Sequence, residues 1–577
     1  MNDIRRTILW VIFGFSMILL WDQWQVFNGH KATFFPMTPK PTATAPAPAG
    51  GATGTPGATS SAEVPKPVSG ASDVHASTSA QVPTGAVPST AAAPVVREPV
   101  VVTTDVYKLT FDADGGSLVR AELLDFVDGQ DKSKRFVLLD ESPERVYQAQ
   151  TGLIAGGGGP ALPTHKTPMK LLPGPLNLEP GADSLTVRFE SPDVGGVKLT
   201  KSWTFKRGSY AADVRFEVVN VGAEPVSPQL YLQLVRDGNK PPGESRFYST
   251  FTGPAVYTDA SKYHKVKFED IEHNKAEIDG QSTGGYVAMV QHYFASAWIL
   301  PEGVKRELFV RKVDTNLYAV GMIDPLGAIA PGQAKTVDTT FYAGPQIEKK
   351  LETLTPGLEL VKDYGWLTIL AKPLYWLLDK LHSFLGNWGW SIVALVVLLK
   401  IAFYWLNAKA YGSMAKMKAI SPKITEMRER LKEKPQQMQQ EMMRIYREEK
   451  VNPMGGCFPI MIQMPVFIAL YWVLSSTVEM RNAPWILWIH DLSVPDPWFI
   501  LPVVMTGTSL LQTWLNPTPP DPMQAKLMWI MPLVFSVMFF FFPAGLVLYW
   551  ITNNILSIAQ QWVINKRLGV LGKIGRK

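Results

Sequence analysis

Residues 386–409 read GNWGWSIVALVVLLKIAFYWLNAK. Apolar side chains run from Trp388 to Leu406 with one full charge among them, Lys400. About 20 such residues at about 1.5 Å each cross the hydrocarbon core of a bilayer. Lys400 sits about 15 Å along that helix from Trp390 and about 13 Å from Lys409, near mid-span. A lysine stem reaches only a few ångströms, so snorkelling from this depth is hard. An ammonium left in lipid costs about 2.5–3.5 kcal/mol on insertion scales. Two readings follow: a wet, protein-lined cavity around Lys400, or a packing site in which the ammonium bonds to a neighbouring helix.

The rest of the chain divides around this span. The mean hydropathy of +0.03 averages two unlike halves of 577 residues. Eighteen Trp and 27 Phe suit a membrane protein with interfacial aromatics. The net charge of +6 gathers beside apolar segments, which favours a membrane flank over specific nucleic-acid binding. The one cysteine, Cys457, excludes an intrachain disulfide.

Residues 1–27 read as an N-terminal transmembrane anchor: Arg5 and Arg6 precede the apolar run from Ile8 to Trp21, and no small-residue cleavage pattern follows. Residues 28–99, rich in Pro, Ala, Thr, Ser and Gly, read as a disordered linker, because they offer little apolar area against their ordering entropy. Residues 100–345 carry short alternating runs such as SLTVRFES and YAADVRFEVVNV, with Asp114-Gly115-Gly116 as a turn between two of them. They predict a large antiparallel β-sandwich. The loop GLIAGGGGP at 152–160 reads as flexible or as a close backbone approach. His264, His292 and Trp298 are scattered and lack convergent carboxylates, so a structural or protein-contact role is expected for this domain.

Residues 346–385 form a connector and an amphipathic interfacial helix, with a break expected at Pro373. Residues 386–408 are the second span. Residues 409–452 predict a cytoplasmic helical hairpin: Ile420, Ile424, Met427 and Leu431 make one stripe, Met438, Met442 and Ile445 the other, and Pro435 starts the second helix. Residues 453–564 hold spans three to six, roughly 457–477, 498–515, 525–542 and 545–563, and 565–577 form a basic tail. Six spans put both termini on the cytoplasmic side, in agreement with the basic residues at 5–6, 409–450 and 566–577.

The spans are unusually polar. Gln463 lies between Pro459 and Pro465; Thr506, Thr508, Ser509 and Gln512 sit on the fourth span; Tyr549, Thr552, Asn553 and Asn554 interrupt the sixth. Tyr549 and Asn553 are four apart and share a face. These groups can solvate Lys400 and hydrogen-bond a polar polypeptide, or act as interhelical glue. Spans two to six lack Asp and Glu, which argues against a carboxylate proton relay. No Ser/His pair, carboxylate pair or metal cluster occurs in the spans, so no catalytic residue, cofactor or metal is expected.

NPMGGCFPIMIQMPVFIALYWVL at 452–474, WIHDLSVPDPWFILP at 488–502, DPMQAKLMWIMP at 521–532 and FPAGLVLYWITNN at 542–554 resemble the bacterial YidC/Oxa1/Alb3 membrane insertases, Gram-negative subgroup. The resemblance is specific over 360–565 and looser over 30–350. It implies a multi-pass α-helical protein of six transmembrane helices, five forming a core with a hydrophilic groove, and a large periplasmic β-supersandwich. It also implies a function: inserting inner-membrane proteins and helping them fold. The groove residues it points to are Lys400, Gln463, Tyr549 and Asn553, with Thr506, Ser509 and Gln512 as further polar candidates. Most members carry arginine where this chain has Lys400; lysine keeps the charge and loses the planar fork. The implied partners are nascent membrane proteins, the ribosome or signal-recognition targeting receptor, the general secretion translocon and the phospholipid bilayer. A small-solute transporter, or an assembly chaperone without independent insertase activity, remains as the alternative.

Overall fold

A computed structural model describes residues 99–567 apart from 130, 157–158, 242–249, 432–433, 450–457 and 517–521. The expected anchor, linker and basic tail, and Cys457, lie outside the described residues.

Two nine-stranded antiparallel sheets occupy the first part, from Val100 to Pro345. In one sheet Pro228–Asp237 lies between Arg145–Ala155 and Leu317–Pro325. In the other Ala211–Asn220 lies between Val197–Lys206 and Ala334–Pro345. Alternation in sequence becomes alternation in space: Val214, Phe216 and Val218 face the core while Arg215 and Glu217 face solvent. Pro228–Asp237, Tyr286–Gln291 and Phe294–Ile299 are buried on both faces, so their sequences lack that alternation. Trp203, Trp298 and Phe341 pack at the centre in tilted and edge-to-face pairs, with centroids 4.7–5.8 Å apart. Trp298 is therefore core. His264 is on the strand Lys262–Lys265, and His292 faces the helices, so the three form no common site.

Two close approaches shape the sandwich. Gly115 and Gly116 turn the chain at φ +69° and +55° between Tyr107–Asp112 and Ser117–Val127. At Gly152 a Cβ would come within 2.6 Å of the Tyr231 hydroxyl and 2.8 Å of Thr164 Cα. A buried cation ties the sheets together: Lys201 Nζ donates to Gly115 O and Thr151 O at 2.7 Å and to Thr151 Oγ1 at 2.6 Å. Burial pushes its pKa down to about 7.

The helical part comprises α1 (Thr368–Leu385), α2 (Trp388–Ala402), α3 (Tyr404–Arg430), α4 (Pro435–Glu448), α5 (Phe458–Ser476), α6 (Ile500–Leu515), α7 (Pro522–Phe539) and α8 (Ala544–Arg567). Helix α1 runs unbroken through Pro373, contrary to the expected break. Packing of Ala371 and Tyr375 on either side of the proline offsets the one backbone bond it removes. Ile369, Trp376 and Phe384 are exposed on the same helix. The stretch 386–409 is not one straight span: after α2 the axis turns by 69° at Phe403 into α3. Phe403 is neither Gly nor Pro, and nothing in the local sequence accounts for the bend.

Among the described residues no single helix is long and apolar enough to cross a membrane; the bent pair Trp388–Ala402 and Tyr404–Met417 reaches that length and composition only when taken together. At about 1.5 Å per residue the 15 residues of α2 and 16 of α6 reach only about 22–24 Å. Helices α3 and α4 pair through Ile420, Ile424 and Met427 against Met438, Met442 and Ile445, with Pro435 at the first turn of α4.

The sandwich is clamped to the helices through the segment after α5. The Arg481 guanidinium lies 5.4 Å from each of the Phe136, Tyr293 and Phe294 ring centroids and donates to Val127 O at 2.8 Å. His292 Nε2 meets Ser475 O at 2.8 Å. Lys362, whose side chain is wholly buried, lies 3.7 Å from Glu479 and 3.6 Å above the Tyr375 ring, and the Tyr375 hydroxyl donates to Glu479 at 2.7 Å. Burial lowers the Lys362 pKa, partly offset by Glu479 and Glu348. Tyr364 donates to Glu348, and Lys349 pairs with Asp379 of α1.

Two outcomes follow. An unfolded lysine holds its proton to about pH 10.4, whereas folded Lys201 releases it near 7. Between those values the unfolded chain binds more protons, so stability of the sandwich rises with pH. Protease resistance of the sandwich under urea, compared at pH 7 and pH 9 in the full-length protein, should show that rise, and Lys201→Met should flatten it. Arg481→Ala should leave the sandwich folded yet raise hydrogen exchange at 126–137 and 292–294; unchanged exchange there would mean the aromatic cage does not hold the two parts together.

Candidate substrate groove

The polar side chains of the helical part sort into two groups. Lys400 from the last turn of α2, Gln463 from α5, and Tyr549 and Asn553 from one face of α8 line a single cavity of about 160 Å³. Its remaining wall is apolar, including Val396, Phe467 and Trp550. The 3.6-residue period places Tyr549 and Asn553 one turn apart, and the Phe467 ring stacks on Tyr549 at 5.9 Å. Lys400 Nζ donates to Ser557 Oγ at 2.7 Å. Among the described residues no carboxylate forms an ion pair with Lys400.

Thr506, Ser509 and Gln512 on α6 do not line this cavity. Thr506 donates to its own helix at Pro502 O. Ser509 and Thr508 receive the side-chain amide of Asn554 at 2.9 and 3.2 Å, which ties α6 to α8. Gln512 is half-buried, and its carbonyl accepts from the Asn516 N–H at the end of α6. Gln561 continues the tie by donating to Leu515 O and to the Asn516 side chain. Adjacent asparagines thus do different work: Asn553 faces the cavity and Asn554 the helix interface. Sequence reading missed Ser557 and Gln561; the signal for Ser557 was its spacing of four from Asn553.

A loop ties together one end of the bundle. Asp496, 1% exposed, accepts from Trp488 Nε1, from the Trp498 N–H, and from the Leu501 N–H at the start of α6. Ala544 and Gly545 at the start of α8 donate to Val494 O and Leu492 O. Gly389 lets α2 approach the same loop, since a Cβ there would come within 2.2 Å of the Trp485 ring. A larger cavity, about 1070 Å³, lies on the sandwich far from these groups in sequence. In its wall Arg215 is paired with Asp338, and Asp213 with Lys206, each at 2.7 Å. Among the described residues no cluster of His, Cys, Asp and Glu is suited to a metal ion.

A β-sandwich clamped to a bundle of apolar helices, with a cation and three neutral polar side chains on one cavity between them, defines a two-part protein whose helical part has the composition of a membrane protein. Residues 99–377 match the family model for the YidC periplasmic domain, and 380–570 match that for the 60Kd inner membrane protein. The membrane protein insertase YidC of Cupriavidus necator is 56% identical, over 98% of this chain and 98% of its own length. That of Ralstonia nicotianae is 55% identical, over 98% of each. A crystal structure of active YidC insertase with the first transmembrane domain resolved is 20% identical, over 80% of this chain and 92% of its own, at a TM-score of 0.38, too low to carry a structural argument. The chain belongs to the YidC family of membrane protein insertases.

The division of polar groups has a direct consequence. Asn554→Ala should cost about 1 kcal/mol of core stability in detergent with modest loss of activity. Asn553→Ala should leave stability nearly unchanged and reduce insertion. A reversed pattern would mean that the cavity and the interface have been confused.

Proposed function

We propose that this chain is a membrane protein insertase and chaperone of the bacterial inner membrane that works by binding, without covalent chemistry. Identity above 50% with relatives named membrane protein insertase, over nearly the whole chain, supports the function. The cavity residues support the mechanism, and the observation that carries it is Lys400: a cation among apolar helices with no carboxylate partner among the described residues.

An arriving hydrophobic helix lies along the outer surfaces of the spans while its short polar flank enters the cavity. Gln463, Tyr549 and Asn553 replace part of the flank's hydration, and the space has room for several waters, which lowers the desolvation barrier. Lys400 attracts acidic groups. At an effective dielectric of about 20, a unit pair about 8 Å apart is worth about 2 kcal/mol, a ceiling of roughly thirtyfold. Burial of the new helix in lipid, at about 0.8 kcal/mol per CH₂, drives release.

Six spans with both termini cytoplasmic, and the sandwich in the periplasm, complete the reading. The hairpin of α3 and α4 then faces the cytoplasm, where its methionines and charges offer a surface to the ribosome or targeting receptor. The sandwich is available to the secretion translocon.

Reconstitution with single-spanning clients bearing acidic or neutral tails tests this. Protease protection of the translocated tail should fall most for acidic tails with Lys400→Ala, further with Lys400→Glu, and little with Lys400→Arg. Equal defects for both tails, tracking only lost core stability, would return Lys400 to a packing role.

A further inference from the structure

Lys400 is held, and what holds it is neutral. Its Nζ donates to Ser557 Oγ at 2.7 Å, and that hydroxyl donates in turn to the Asn553 carbonyl one turn earlier on α8, also at 2.7 Å. Ser557 is 2% exposed. Ser557 is not part of the cavity wall, whereas Lys400 and Asn553 are.

We propose that Ser557 is the positioning residue for the groove cation: it holds the Lys400 ammonium at the cavity without neutralising it. This rests on the reading of Lys400 as the electrostatic element of the groove. The chemistry favours a hydroxyl here. An ammonium is a point charge on a flexible four-carbon stem, and it lacks the rigid fork by which a guanidinium fixes its own geometry. A carboxylate at 557 would hold the stem but cancel the charge. A serine whose proton is committed to Asn553 O turns its lone pairs to the ammonium and leaves the net charge intact. One of the three ammonium N–H donors is then used for anchoring, while the charge still acts on an acidic group in the cavity. The anchor also couples the cation to α8, the helix that carries Tyr549 and Asn553, so that all three keep one geometry.

The test uses the full-length protein in liposomes, the paired acidic- and neutral-tail clients, and thermal unfolding in detergent. Ser557→Ala should lower acidic-tail insertion about threefold or more while neutral-tail insertion changes little. Ser557→Thr, which keeps the hydroxyl, should restore it. Ser557→Asp should bring acidic-tail insertion down to the level of Lys400→Ala, and adding Lys400→Ala to it, which leaves the new carboxylate unpaired, should lower it further, as Lys400→Glu does. Unchanged acidic-tail insertion in Ser557→Ala, where Lys400→Ala still discriminates between tails, would overturn the anchoring role and leave the reading of Lys400 standing. Equal loss for both tails that follows the unfolding midpoint would also overturn it, making the hydroxyl a packing contact. A Lys400→Ala defect blind to tail charge would overturn both.

Discussion

A positive charge inside an apolar helical bundle is the constraint around which this molecule is arranged. Lys400 cannot be abandoned to lipid, and a carboxylate partner would satisfy it at the expense of its charge. The fold instead surrounds it with neutral hydrogen-bonding groups: Ser557 in contact, with Gln463, Tyr549 and Asn553 around the shared cavity. Because these side chains come from α2, α5 and α8, the cavity exists only while three helices hold their mutual positions. The Asn554 and Gln561 ties to α6 and the Asp496-centred loop serve that end.

The second organising feature is the joint between sandwich and helices. Its polar contacts are few and well buried. Lys362 and Glu479 bring opposite charges together beside two tyrosines, and Arg481 replaces part of its hydration with three aromatic faces. Such contacts are directional, so they set orientation as well as affinity. In the resulting arrangement the sandwich rests on the same segment, 475–481, that leaves the end of α5, the helix carrying Gln463.

The sequence alone determined a good deal. Period-two alternation marked the sandwich strands that have one wet face, such as Ala211–Asn220, and long apolar runs marked the helices. The stripes at Ile420 and Met438 marked the paired hairpin. Single-residue chemistry was enough to single out Lys400, because a lone charge in an apolar run has an energetic cost whatever its neighbours are. The family was legible for the same local reason, since its motifs are short and contiguous.

Only the tertiary structure decided the rest. Strands buried on both faces, such as Pro228–Asp237, and the passage of α1 through Pro373 depend on what packs against them. So does the turn at Phe403, which breaks an apparently continuous span. Asn553 and Asn554 look alike in the chain, yet one faces the cavity and the other binds α6, because a 100° step around a helix separates two environments that composition does not distinguish. Ser557 carried only its spacing from Asn553 as a signal: a serine acquires its role from the distant residue placed 2.7 Å away, and that contact spans 157 positions of sequence that only folding closes.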